Sequence, residues 1–127
     1  MRLIRIAAAL ALLAAPALAR GEDGQALFMA NCSACHQPTG LGIKGAFPAL
    51  AGDPFVKGDP APVITTVLNG RGGMPTFKAD LSDDQLAAIL SYVRGAWGNG
   101  AAPISPTQIA ALRAHTPAAP PRGLQAH

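Results

Sequence analysis

Apolar residues recur at helical spacing in four stretches of the chain, and nowhere do they alternate as a half-buried strand requires. The clearest stretch starts at Ser82. Ser82 and Gln85 form an S-x-x-Q capping box, Asp83 and Asp84 lie at the positive end of the helix dipole, and Leu81 is placed to staple onto Leu86. Leu86, Ile89, Leu90, Val93 and Trp97 then fall on one helical face, before Gly95 and Gly98 loosen the chain. A second capping box at Ser105, with Pro106 at the first helical position and Gln108 at the third, predicts a short helix ending before Pro117, with Ile104 stapling onto Ile109. Upstream, Asp23 caps a predicted helix through Ala26, Leu27, Phe28 and Ala30 that ends near Cys35, because Gln37 precedes Pro38 and a residue before proline avoids the helical region. Asp59-Pro60 opens another through Val63, Ile64, Val67 and Leu68, stopped at Asn69-Gly70. Pro- and Gly-rich loops are predicted from Pro38 to Asp53, Gly70 to Pro75 and Gly98 to Pro103. The expected fold class is all-α.

One apolar run has a different meaning. Arg2 and Arg5 precede the uninterrupted apolar stretch from Ile6 to Ala15, Pro16 breaks it, and Ala17-Leu18-Ala19 is a small-x-small cleavage sequence. Residues 1–19 are thus expected to be a cleaved export signal, since a membrane span needs about 20 apolar residues. No second run approaches that length, so no membrane span is expected after cleavage. Residues 20–115 form the expected domain. Residues 116–127, with three prolines and hardly a large apolar side chain, read as a flexible Pro-rich tail.

Composition narrows the function. The 127 residues leave room for one domain of ordinary size. Ala supplies 27 of them while Phe, Tyr and Trp together supply six, so the core is thin and a large flat apolar group from outside would add to it. Without the signal the chain holds eight basic against seven acidic residues, and the basic ones are scattered. Nucleic-acid binding, which needs a clustered basic face, is not expected.

The chemistry concentrates at Cys32-Ser33-Ala34-Cys35-His36. CxxCH is the attachment sequence of c-type haem: two thiols one helical turn apart form thioethers with the two vinyl groups, and the adjacent imidazole reaches the iron. A thioredoxin-type pair would need an α/β sheet around it. Structural zinc would need four ligands; Cys32, Cys35, His36 and the distant His115 could supply them on paper, but there is no second closely spaced pair. A disulfide over so short a loop would constrain the unfolded chain little. With an export signal in the same chain, covalent haem is the reading that fits.

The other face of the iron has four candidate donors after signal removal: Met29, Met74, His115 and His127. Met29 lies three residues before Cys32 on the helix leading into the attachment site and is expected to pack. His127 is in the tail. Met74 stands in Gly70-Arg71-Gly72-Gly73-Met74-Pro75, 38 residues beyond His36, where glycines let the backbone approach a flat ring and proline sets the exit direction. It is the preferred ligand. Arg71 is placed either to pair with a haem propionate or as an exposed loop residue.

From about Asp23 to Trp97 the chain resembles the class I (monohaem) bacterial cytochromes c, through Gly24, Phe28, Cys32-x-x-Cys35-His36, Phe47-Pro48-x-Leu50, Gly73-Met74-Pro75 and Ile89-Leu90-x-Tyr92-Val93. The resemblance implies three to five helices wrapped around one covalently bound haem c. It implies Gly24 and Phe28 crossing Ile89 and Tyr92, a hydrogen bond from the His36 ring to the Pro48 carbonyl, and Leu50 among the residues excluding water from the porphyrin. Phe47, Phe55 and Phe77 are further candidates for the pocket. The stretch from Tyr92 to Asn99 and the Ser105 helix are similar to cytochrome domains accompanying periplasmic dehydrogenases, with Trp97 either a docking residue or, the favoured reading, a packing group. The expectation is a periplasmic electron carrier, not an enzyme, shuttling single electrons between larger redox proteins, a dehydrogenase as donor and an oxidase or reductase as acceptor. The alternatives are a haem-bearing subunit of one dehydrogenase and, with Met74 unbound, a five-coordinate haem sensor or peroxidase-like protein.

Overall fold

Five of the six helices among the described residues begin at a side chain that caps their first turn. In the computed structural model of the chain, residues 21–116 are described; the expected signal at 1–19 and the tail from Pro117 onward lie outside them. Asp23 accepts a hydrogen bond from Ala26 N at 3.1 Å and opens α1, Gly24–Asn31. The helix breaks at Cys32 (φ −123°) and resumes as α2, Ser33–His36, ending at Gln37, whose ψ of 153° lies outside the helical region as a residue before proline requires, with a φ of 65°. Asp53 accepts from Phe55 N and Val56 N and starts the single turn α3, Pro54–Lys57. Asp59 caps α4, Pro60–Asn69, which stops at Gly70 with φ 75°. Ser82 and Ser105 form complete capping boxes at the starts of α5, Asp83–Gly95, and α6, Pro106–His115. Among the described residues there is no strand beyond the isolated bridges Ile43–Phe47 and Arg71–Met74, and no helix is long and apolar enough to cross a membrane.

The close crossing of α1 over α5 organises the molecule. Glycine is required at its centre: a Cβ on Gly24 would lie 2.1 Å from the Ala88 carbonyl oxygen and 3.1 Å from Tyr92 Cβ. One turn on, fully buried Phe28 meets the Tyr92 and Trp97 rings at centroid distances of 5.5 and 5.3 Å. Leu86, Ile89, Leu90 and Val93 of α5, Val63, Ile64 and Leu68 of α4, and Ile109 of α6 complete a continuous buried cluster. α6 packs on both α4 and α5.

Three expectations change. The turn α3 is absent from the sequence-based elements, although Asp53-Pro54 carries the same cap signal as Asp59-Pro60. Trp97 is not on α5: the helix ends at Gly95, and Trp97 takes a positive φ of 51° that turns its ring onto Phe28 and Tyr92. It is a packing group. Thr116, expected in the tail, closes α6, with its hydroxyl donating to Leu112 O and its carbonyl accepting from Lys78 Nζ.

Candidate functional site

Several separate pieces of chain line one largely apolar cavity of about 370 Å³, partly open to solvent. The CxxCH segment contributes Cys32 and His36, the following loop Pro48 to Leu50, α3 and α4 contribute Phe55, Val56, Val63 and Val67, and the loop after α4 contributes Arg71, Met74 and Phe77. Leu86, Ile89, Leu90 and Val93 form the α5 wall. Cys35, one turn after Cys32, is half-buried and outside the lining.

His36 is buried, and its Nδ1 lies 2.9 Å from the Pro48 carbonyl oxygen. A carbonyl only accepts, so Nδ1 carries the proton and Nε2 is left as the basic nitrogen. Met74 closes the turn Arg71-Gly72-Gly73-Met74, in which Met74 N donates to Arg71 O at 3.0 Å and Arg71 N to Met74 O at 3.2 Å. The turn is tied to α4 by Gly70 N donating to Thr66 O and Phe77 N to Val67 O. Arg71 is exposed, its guanidinium 5.9 Å from the Phe55 ring centroid at the cavity rim.

Not every candidate reaches the cavity. Met29 is exposed rather than packed, Phe47 faces a shallow surface depression beside Leu41 and Lys44, and His115 is exposed at the end of α6. Burial, with the neighbouring Cys35 second, pushes the Cys32 thiol up to about 11, the opposite of the lowered pKa that activates a redox cysteine. No group of three or more His, Cys, Asp or Glu able to hold a metal ion is found among the described residues, so Cys32, Cys35, His36 and His115 do not assemble into a zinc site. What remains is a slot with apolar walls, an oriented imidazole, a thioether and an adjacent pair of thiols.

Residues 19–93 match the protein family described as cytochrome c oxidase, cbb3-type, subunit III. Cytochrome c-552 of Thermus thermophilus is 34% identical over 117 residues, covering 76% of this chain and 79% of that protein. The chain belongs to the cytochrome c family. Cytochrome c6 of Leptolyngbya boryana is 39% identical over 72 residues, covering 55% of this chain and 85% of that protein. The gluconate 2-dehydrogenase cytochrome c subunit of Pantoea cypripedii is 34% identical over 116 residues, 78% of this chain but 26% of that subunit, so the chain spans about a quarter of that relative's length. As a member of that family, the chain is a haem c-binding electron-transfer domain. The cavity fits such a group: a flat macrocycle needs dry apolar walls, and the polar atoms reaching in from His36, Met74 and Cys32 are the nitrogen and sulfur types that haem takes.

Three contributors escape the sequence reading. Buried Arg94 and Asn99 and the close contact of Gly40 with Trp97 hold the loops that frame the cavity, and their signal is weak because each acts through groups far away in sequence.

Proposed function

We propose that Cys32 and Cys35 anchor the haem by thioethers, that His36 and Met74 fill the two axial positions, and that the chain works as a single-electron carrier in the periplasm after loss of residues 1–19. The observation that supports this most directly is the convergence of Cys32, His36 and Met74 on one apolar cavity. When bound, haem c supplies a one-electron ferrous/ferric couple. The Pro48 carbonyl holds the His36 ring and, by accepting a hydrogen bond from Nδ1, makes the ligating nitrogen a better donor. Leu50, Phe77 and the α5 wall keep water away, which disfavours extra charge in the cavity and so the oxidised form. Arg71, at the rim, is placed to pair with a propionate.

The test is the ferric absorption spectrum. Wild-type protein is expected to show a sulfur-to-iron charge-transfer band that Met74→Ala abolishes, with a lower reduction potential in the variant. High-spin ferric iron in the wild type would instead favour a five-coordinate sensor or peroxidase-like protein. The mass of protein recovered from the periplasm tests cleavage after Ala19.

A second reading, a haem-bearing unit fixed to one dehydrogenase, is favoured by the relatives named as cytochrome subunits of gluconate 2-dehydrogenase, quinone alcohol dehydrogenase and fructose dehydrogenase. Recovery of a near-stoichiometric complex with a larger dehydrogenase supports it over a diffusing shuttle; monomeric recovery from cells sinks it.

A further inference from the structure

The loop from Gln37 to Gly52 carries Pro48, yet it contains no helix or strand to hold that carbonyl in place. Its own turns are closed by Gly42 N donating to His36 O at 2.9 Å and by Leu50 N and Ala51 N donating to Gly40 O at 2.7 and 2.9 Å. Further support comes from the segment after α5, past the last residue of the family match. Asn99 is buried, and its amide bridges three backbone groups: Nδ2 donates to Leu50 O at 3.1 Å and to Val93 O at 2.8 Å, while Oδ1 accepts from Gly52 N at 2.7 Å. The bridge therefore ties the loop directly to the end of α5. Two residues earlier, Trp97 supports the other end. A Cβ on Gly40, whose φ is +67°, would lie 2.6 Å from the indole, so the loop rests on the ring through a bare glycine. The ring in turn is held edge-on by Phe28 and Tyr92.

We infer that Asn99, supported by Trp97, is a positioning residue for the iron's histidine ligand: it fixes the Leu50–Gly52 end of the loop, hence the Pro48 carbonyl two residues before it, hence the plane of the His36 imidazole. This rests on the proposed ligation by His36. Asparagine suits the task because one planar amide offers both donors and an acceptor. Leucine would leave the Gly52 N–H and two carbonyls unpaired, and aspartate would lose both donors and bury a charge.

The test uses haem-loaded protein in four forms: wild type, Asn99→Ala, Trp97→Phe, which keeps an aromatic ring but shortens the face under Gly40, and Ser105→Ala, which weakens α6 away from the loop. Two signals are read by NMR, the solvent exchange of the His36 Nδ1 proton in the ferrous form and the spread of haem methyl shifts in the ferric form. Asn99→Ala, which removes all three hydrogen bonds, is expected to exchange that proton about tenfold faster, and to change the methyl spread. Trp97→Phe changes both in the same sense, so a failure of Asn99→Ala to fold leaves the inference testable. Ser105→Ala is expected to lower the melting temperature and change neither signal. Wild-type exchange and spread in folded Asn99→Ala or in Trp97→Phe overturn the inference. A wild-type His36 proton outside the range of iron-bound imidazole overturns the ligation itself, which separates the two failures.

Discussion

Arg94 shows how much a single residue holds that its sequence neighbours do not announce. It is 4% exposed, and no carboxylate among the described residues pairs with it. Its Nε donates to Ala102 O at 2.8 Å and its Nη1 to Val56 O at 2.7 Å and Gly58 O at 2.9 Å, so one guanidinium joins α5 to α3 and to the irregular segment before α6. Arg94→Ala is expected to lower the unfolding free energy by about 3 kcal/mol, because it removes three hydrogen bonds from a charged donor and strands the buried Val56 carbonyl. Arg94→Lys should recover only part of that, since an ammonium lacks the fork that spans both sides. Urea unfolding checks both. In the sequence Arg94 is one of several scattered basic residues; its role depends on which carbonyls the loops leave unpaired, and composition does not record that. The CxxCH cysteines and histidine, by contrast, stand out in any reading, because their chemistry is set by spacing along one helical turn.

At the scale of elements, the boundaries follow from local chemistry. Ser82→Ala removes one half of the α5 capping box and is expected to cost about 1 kcal/mol, measured by denaturant unfolding. A loss no larger than at an ordinary surface site would show that tertiary packing, and not the cap, sets the start of α5. Gly24→Ala tests the helix crossing instead. With a new methyl 2.1 Å from the Ala88 carbonyl, α1 must shift, and a loss of about 3 kcal/mol is expected. Unchanged stability would mean that the crossing relaxes freely. The four long helices are legible because caps and apolar spacing agree over eight or more residues. α3 is not, since one turn has no period to read, and Trp97 is misplaced because its spacing continues the α5 stripe while the backbone has already left the helix.

For the whole molecule, the polypeptide core is organised around its cavity rather than closed on itself. Thirteen buried apolar residues form the cluster, and the aromatic rings of Phe28, Phe55, Phe77, Tyr92 and Trp97 lie on the cavity or at the α1–α5 crossing, so most of the large apolar groups face a space that α4, α5 and two loops surround without filling. Protein made without haem attachment, as in a Cys32→Ala/Cys35→Ala double variant, is expected to lose most of its helical ellipticity and its cooperative melt. Native-like ellipticity with a cooperative melt would contradict this. α6 braces the same architecture from outside: Arg113 pairs with Asp83 at 2.7 Å and donates to the carbonyls of Lys78 and Leu81, tying α6 to the segment that follows Met74.

What the amino-acid order determined alone was whatever acts over one or two helical turns: caps, helix faces, the haem-attachment signature and the glycine-rich turn that presents Met74. Those features depend on groups a few bonds apart, so spacing is enough to specify them. The tertiary structure decided which distant backbone groups meet which side chains: Leu50 and Gly52 with Asn99, Gly40 with Trp97, Val56 with Arg94. Loop carbonyls and amides are chemically alike in every residue, and only the packed chain distinguishes the ones left for a side chain to satisfy.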